Sequence, residues 1–274
     1  MIIILIMEGI LQKKNKIYLF DSYINLLNEV DAVCIVTPTI THYSLAMEAI
    51  NNNKHVFIEK PICSSIHDTN QIIKTKNKFN RIVQVGHIER FNPAFLKIKN
   101  SISNPMYINA ERVCPFTNRS SDISVILDLM IHDIDLMLSF TKYKIKDVFA
   151  KGLKVFSKNI DMAIAQVLFV NGTVAWLKAS RIGTKKYRKF RLIDENNYYS
   201  IDLLNHKLNS NSINFNKQLY SKKYLVPKND ALKLELEHFA NSIFNQTNPE
   251  TSVESALEAL KCIKLIEKQV YENY

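Results

Sequence analysis

Glycine is scarce in this chain: five in 274 residues, at Gly9, Gly86, Gly152, Gly172 and Gly183. Only Gly9 precedes Gly86, so a G-x-G-x-x-G phosphate-binding turn cannot be placed in the first part of the chain. Cysteine is sparse too. Cys34, Cys63, Cys114 and Cys262 are far apart and show no metal-type spacing, which excludes a disulfide framework and a cysteine-held metal. They read as small hydrophobes in a reducing compartment. Long apolar runs are missing as well. Met1–Met7 is far too short to span a membrane, and no small-residue cleavage site follows it. The expectation is a cytoplasmic protein with no membrane and no metal. No arginine-rich or aromatic-interleaved stretch is present either, so nucleic acid is not expected as a partner. The net charge of +10 and pI near 9.3 then reflect compositional bias or an anionic small molecule such as a nucleotide-sugar.

What is present is a globular composition, 47% apolar and 23% charged, with length for one large domain or two ordinary ones. Met1–Met7 reads as a buried parallel strand. From Ala32 the pattern becomes regular. Ala32–Val36 is a strand stopping at Thr37-Pro38, and His42–Asn52 a helix. His55–Ile58 is a strand stopping at Glu59-Lys60-Pro61, residues 65–78 a helix, and Arg81–Val85 a strand stopping at Gly86-His87. Strands alternating with helices through short connections predict a parallel, doubly wound sheet. Such sheets bind ligands beyond the carboxyl ends of their strands, where these polar residues collect.

Past Asn92-Pro93 the grammar changes. A half-buried strand over Met106–Val113 precedes a helix from about Ser124, and strands follow almost without interruption to Leu204. Asn171-Gly172 between two apolar strands predicts a type I′ hairpin. Two helices, about Asn229–Phe244 and Ser252–Tyr271, close the chain. The fold class is therefore α/β plus α+β: an incomplete Rossmann-like sheet, then a large, mainly antiparallel sheet packed on helices. The expected domains are residues 1–91 for dinucleotide binding and 92–274 for substrate and oligomerisation, with the closing helices able to pack back on the first. One free sheet face points to a homo-oligomer.

The helix over residues 125–140 is apolar almost all round except for one seam. At about 100° per residue, Asp128, His132, Asp135 and Ser139 fall within roughly 60° of one another. Asp128 lies one turn below His132. A carboxylate beside an imidazole suits proton transfer near neutrality; a helix cap and a core histidine is the bland alternative. Asp135 reads as structural, pairing within the seam or with neighbours of His132, and Ser139 as a packing residue. Arg112 and Arg119 lead into this helix and either clamp a diphosphate bidentately or are solvated charge. Lys185, Lys186, Arg188 and Lys189 read as a solvated basic face.

In order, Thr37-Pro38-x-x-x-His42, Glu59-Lys60-Pro61, Gly86-His87-x-x-Arg90-Phe91-Asn92-Pro93 and Asp128-x-x-x-His132 resemble the glucose–fructose oxidoreductase/inositol dehydrogenase (Gfo/Idh/MocA) family. The resemblance runs from about Tyr18 to the C-terminus. It implies oxidation or reduction of a ring carbon in a sugar or cyclitol, with NAD or NADP. The wording around Gly86 and Asp128 is most similar to the branch acting on C3 of UDP-N-acetylglucosamine, which implies a place in lipid A sugar modification. The resemblance assigns Lys60 and His132 to the reacting hydroxyl with Asp128 in support. It places Glu59 and Lys60 at the nicotinamide ribose, Thr37, Pro38 and His42 along the cofactor, and Arg90 near its nicotinamide end. Arg112, Arg119 and His132 are the expected substrate contacts.

The chain departs from the family at its start, where a strand, a glycine-rich turn, a helix and a second strand ending in an acidic residue are expected. The pattern begins roughly one βαβ unit late, so the expectation is an N-terminally truncated member. Dinucleotide binding is then weak or absent, and the choice between NAD and NADP is unreadable. Three explanations are open: a misplaced start or frameshift, a decaying gene, or a catalytically inactive homologue serving as a binding or scaffolding protein.

Overall fold

The computed structural model describes residues 2–5, 20–102, 104–117, 123–213 and 216–272. In chain order the first elements are β1 (Ile2–Leu5), α1 (Tyr23–Asn28), β2 (Ala32–Ile35), α2 (His42–Asn51), β3 (His55–Glu59), α3 (Ile66–Lys78) and β4 (Val83–Gly86). After a short α4 (Pro93–Leu96) come β5 (Tyr107–Val113), a π-helical turn (Ile126–Met130) and α5 (Ile131–Phe140). Seven strands follow: β6 (Ile145–Leu153), β7 (Met162–Phe169), β8 (Val174–Ser180), β9 (Tyr187–Ile193), β10 (Asn197–Asp202), β11 (Lys207–Ile213) and β12 (Leu219–Tyr224). Helices α6 (Ala231–Asn245) and α7 (Val253–Glu272) close the chain. Two compact units result. One runs through His87 and takes in Leu232–Leu257; the other is Ile88–Ala231 with the segment from Glu258.

The first unit is built on a four-stranded sheet in the order β1-β2-β3-β4. β2, β3 and β4 are parallel, as their separation by helices requires. Strand β2 is buried at every position and β3 at its three central residues, which is why these segments read as apolar runs rather than alternations. β1 corrects an expectation: it runs antiparallel to β2, pairing Ile2 with Ile35 and Leu5 with Ala32. A continuous apolar run signals burial on both faces but carries no information about direction. Helix α3 starts where Ser65 Oγ accepts from Asp68 N at 3.0 Å, and Lys76 and Lys78 sit in its last turn, where the helix dipole favours cations. Phe239 of α6 packs edge-on against Phe57 at 5.9 Å. The same helix receives the buried Gln84 side chain, whose Nε2 donates to Glu235 O at 3.1 Å.

The second unit carries an eight-stranded sheet in the order β12-β11-β10-β9-β5-β8-β7-β6. β5 and β8 are parallel and the other neighbours antiparallel. One sheet face is covered: Ile131, Ile134 and Met137 of α5 share a core with Ala163, Val167 and Leu177. On the opposite face Phe149, Ile164 and Trp176 are exposed. β11 and β12 had no sequence signal, because both are polar at most positions and largely solvated. The β7–β8 turn is not type I′. Gly172 alone has positive φ, at 91°, while the Asn171 side chain bonds Thr173, so the turn needs one left-handed residue rather than two.

Candidate active site

In the first unit the polar residues at the carboxyl ends of β2, β3 and β4 are tied together by backbone contacts. His42, the first residue of α2, is 1% exposed. Its Nδ1 lies 2.9 Å from Pro61 O and its Nε2 2.9 Å from Thr37 O, so one imidazole links the loop after β2 to the loop after β3. Thr41 reinforces the first loop, its hydroxyl donating to Pro38 O at 2.8 Å. Glu59 folds back so that its Oε2 accepts from Lys60 N at 3.1 Å. Gly86 permits this. A Cβ there would sit 3.0 Å from Glu59 Oε2, tighter than ordinary packing allows. Thr37, Pro38, His42, Glu59 and Lys60 are thus brought together. Lys60 is half-buried and Pro38 exposed, while His87, just beyond Gly86, is buried.

In the second unit the expected α-helical seam is revised. Residues Ile126–Met130 form a π turn, in which Ile131 N donates back to Ile126 O, and regular helix begins only at Ile131. Asp128 lies on that wider turn, so its angular relation to His132 is not that of an α-helix. Single π turns inside helices recur at functional sites. The turn is anchored from outside: Val125 N donates to Ile160 O at 2.9 Å, and Arg181 Nη2 donates to Ile123 O at 2.8 Å. Arg181 is held by the fully buried Asp161, whose Oδ2 accepts from three successive amides, Val155, Phe156 and Ser157. Burial would raise the Asp161 carboxyl, but the Ser157 hydroxyl and these amides hold it well below its ordinary value. Asp128 and His132 are both half-buried, with the His132 Nδ1 atom shielded from solvent.

The residues flanking His132 are committed elsewhere. Asp135 takes a bidentate pair from Arg90, at 2.6 and 3.0 Å, and Ser139 donates to Leu136 O, so the seam does not continue past His132. Asp133 accepts from Arg112 Nε at 3.0 Å and Nη2 at 2.8 Å. Arg112 Nη1 donates to Glu89 Oε1 at 2.8 Å, and Arg188 Nη1 reaches the same oxygen at 2.9 Å. Asn92 donates to the other Glu89 oxygen at 3.1 Å. Burial opposes ionisation of Glu89, but the two guanidinium groups outweigh it and hold the carboxyl below its usual range. The Arg112 guanidinium is likewise locked in its charged form, since Asp133 and Glu89 more than offset its burial.

This network corrects the expectation for Arg112. Its side chain is 3% exposed with all three guanidinium nitrogens bonded internally, so it is not a diphosphate clamp. The other expected clamp, Arg119, lies outside the described residues. Arg90 belongs to the second unit, its guanidinium turned to Asp135. Sequence reasoning missed Glu89, Asp133 and Arg188 as a set. A signal existed: Ile108, Ala110 and Arg112 share one parity on β5, which puts Arg112 on the covered face, where a charge must be paired.

Comparison with known proteins fits this arrangement. Residues 8–87 match the model of an oxidoreductase family with an NAD-binding Rossmann fold, and residues 106–199 match the GFO/IDH/MocA C-terminal domain. A UDP-N-acetylglucosamine 3-dehydrogenase from Acidithiobacillus ferrooxidans is 38% identical over 82% of this chain and 74% of its own length. The chain belongs to the Gfo/Idh/MocA oxidoreductase family. The solved structure of the Acidithiobacillus enzyme aligns with a TM-score of 0.89 at 35% identity, covering 92% of this chain and 82% of that one. A scyllo-inositol 2-dehydrogenase (NAD(+)) from Bacillus subtilis is 26% identical over 80% of this chain and 69% of its own length. The strand-end residues Thr37, Pro38, His42, Glu59, Lys60 and Gly86 all lie within the segment that matches the NAD-binding Rossmann model. They offer such a cofactor backbone-anchored loops and one half-buried cation, Lys60. Residues 6–19, where Gly9 lies, are outside the described residues. Among the described residues no helix is long and apolar enough to cross a membrane.

Proposed function

We propose that this chain oxidises a ring hydroxyl of a nucleotide-sugar, with C3 of UDP-N-acetylglucosamine the substrate position favoured by its 38% identical relative. The carrying observation is the helix of the second unit. Asp128 on an anchored π turn and His132 on the helix that follows it are both half-buried, and the neighbouring Asp133 and Asp135 are paired with arginines. A bound nicotinamide would supply the hydride acceptor for the substrate carbon. His132 takes the hydroxyl proton, a role suited to an imidazole. Asp128 orients the imidazole and stabilises its protonated form. Lys60 donates to the reacting oxygen and stabilises the charge that develops there. Glu59 and Lys60 serve the nicotinamide ribose; Thr37 and Pro38 line the cofactor, with His42 holding their loop. Arg90 acts through Asp135 rather than on the cofactor itself.

A second copy of the chain is the partner we assign to the open sheet face bearing Phe149, Ile164 and Trp176, an exposed apolar set that association would cover. Four free cysteines, three of them buried, support a reducing, cytoplasmic setting. The alternative of an inactive scaffold is not favoured, given the relative's activity and the intact Lys60, Asp128 and His132. The test is NADH formation on adding NAD and UDP-N-acetylglucosamine. Lys60→Met and His132→Gln are each expected to lower kcat roughly 10²–10⁴-fold, the usual contribution of a proton-transfer group. Unchanged turnover in both variants contradicts the assignment.

A further inference from the structure

With Arg112 buried, the second unit needs another cation if it is to hold a diphosphate. Its arginines differ in how many of their five donors are already used. Arg112 has its Nε, Nη1 and Nη2 engaged and Arg90 its bidentate edge, while Arg181 is 4% exposed and bonds Asp161, Ser157, Ile123 and Ile160. Arg191, opposite Asn109, is as open, but its Nη1 serves Asn109 and Glu111, away from the buried network. Arg188 stands at that network's edge. Its side chain is 32% exposed, and among the described residues Glu89 is its one side-chain partner, through Nη1 alone.

Its position is fixed. Strand register sets it directly opposite Arg112 on β5, and its carbonyl accepts from Leu203 N at 3.0 Å. Glu89 Oε1 is shared between the two guanidinium groups, so Arg188 is the solvent-side end of the network that reaches Asp133, next to His132. The loop before it is docked as well, with Gly183 N donating to Cys114 O at 3.1 Å. Exposed Lys186 ends that loop. The Cys114 thiol is pushed up by burial and by Asp128, against the pull of Lys186, Arg181 and Arg188. Lys186 and Arg188 stand two residues apart at the start of β9, and Arg188 is preorganised by Glu89.

We propose that Arg188, held by Glu89 at the exposed edge of the buried ion network, binds the phosphate groups of a nucleoside diphosphate sugar, with Lys186 as the accompanying charge. This rests on the nucleotide-sugar reading and names the residues that make the substrate a nucleotide-sugar rather than a free sugar. The residues earlier read as a solvated face then divide, with Arg188 and Lys186 facing ligand. A fixed guanidinium suits phosphate because its fork donates two parallel hydrogen bonds.

Calorimetry with UDP, with uridine and with UDP-N-acetylglucosamine on the 274-residue chain tests this without requiring turnover. Arg188→Gln is expected to weaken UDP binding about tenfold to a hundredfold, the worth of a charge-assisted hydrogen bond or pair. Arg188→Lys, which keeps charge but loses the fork, should fall between, and it carries the test if Arg188→Gln does not fold. Lys186→Gln should weaken binding less. UDP affinity unchanged in Arg188→Gln overturns the proposal, as does a wild-type chain that binds UDP no better than uridine. Arginine-dependent UDP binding in a chain that never forms NADH would uphold this site while contradicting the catalytic reading.

Discussion

The two units solve the same problem, burying polar side chains near a candidate site, by different chemistry. In the first, polar groups lean mostly on backbone, with buried Lys76, 2.9 Å from Glu254, the exception. His42 spans two carbonyls, half-buried His55 accepts at Nδ1 from Ile82 N at 2.9 Å, and Gln84 donates to Glu235 O. In the second, buried charges lean on each other: Arg112 on Glu89 and Asp133, Arg90 on Asp135, Arg181 on Asp161. Backbone partners fix where loops lie, which suits strand ends lining an extended cofactor. Charge partners fix a helix in one orientation and remove net charge from around it, which suits a site whose histidine must gain and lose a proton. Loss of a backbone partner leaves one neutral group unsatisfied. Loss of a charge partner strands an ion.

The largest effect that difference predicts is at Arg112. Arg112→Met leaves Glu89 and Asp133 buried without their shared cation and should cost about 3–5 kcal/mol in urea unfolding, as broken buried ion pairs do. Replacing Asp133 with leucine in the same chain should recover part of that loss. A loss under about 1 kcal/mol, within the range of exposed pairs, would show that the network contributes little. His42→Ala, its counterpart in the first unit, should cost less, about 1–3 kcal/mol, because only hydrogen bonds with neutral partners are lost. If His42→Ala proves the more damaging change, the contrast between the units fails.

The pH dependence separates the units again, with a smaller effect. Burial and the nearby Arg81 lower His55 from 6.5 to about 4. Between those values the unfolded chain binds the proton that the folded chain refuses. The His55 contribution is therefore complete above pH 6.5 and lost as pH falls towards 4. Asp161, held below its ordinary 3.8, contributes fully above that value and loses its contribution only in stronger acid. Denaturant melts of His55→Gln should thus differ from wild type in pH dependence between 4 and 6.5, and those of Asp161→Asn below 3.8. Identical pH profiles for wild type and both variants would remove this assignment.

Much of the architecture was legible in the chain itself. Apolar runs ending in Thr37-Pro38, Glu59-Lys60 and Gly86-His87 announced a parallel sheet and its ligand edge, because doubly buried strands and their polar ends leave a simple pattern. β11 and β12 left none: β12 is an edge strand exposed at nearly every position, and β11 is polar at most positions, burying only Leu208 and Ser210. The π turn under Asp128 was also hidden, since nothing in Val125-Ile126-Leu127-Asp128 distinguishes a π turn from an α turn; its anchors, Ile160 and Arg181, are distant in sequence. Arg112 was misread for a related reason. An arginine ahead of a candidate catalytic helix looks like a ligand clamp until its strand parity and its partners, Glu89 and Asp133, are considered together.

The most direct test of the central claim is the time course of NADH formation by the 274-residue chain given NAD and UDP-N-acetylglucosamine, run beside His132→Gln. The proposed roles predict NADH from the wild-type chain and roughly 10²–10⁴-fold less from the variant at matched thermal stability. A His132→Gln chain that forms NADH as fast as wild type, or a folded wild-type chain that binds NAD and the UDP-sugar yet forms none, would contradict it.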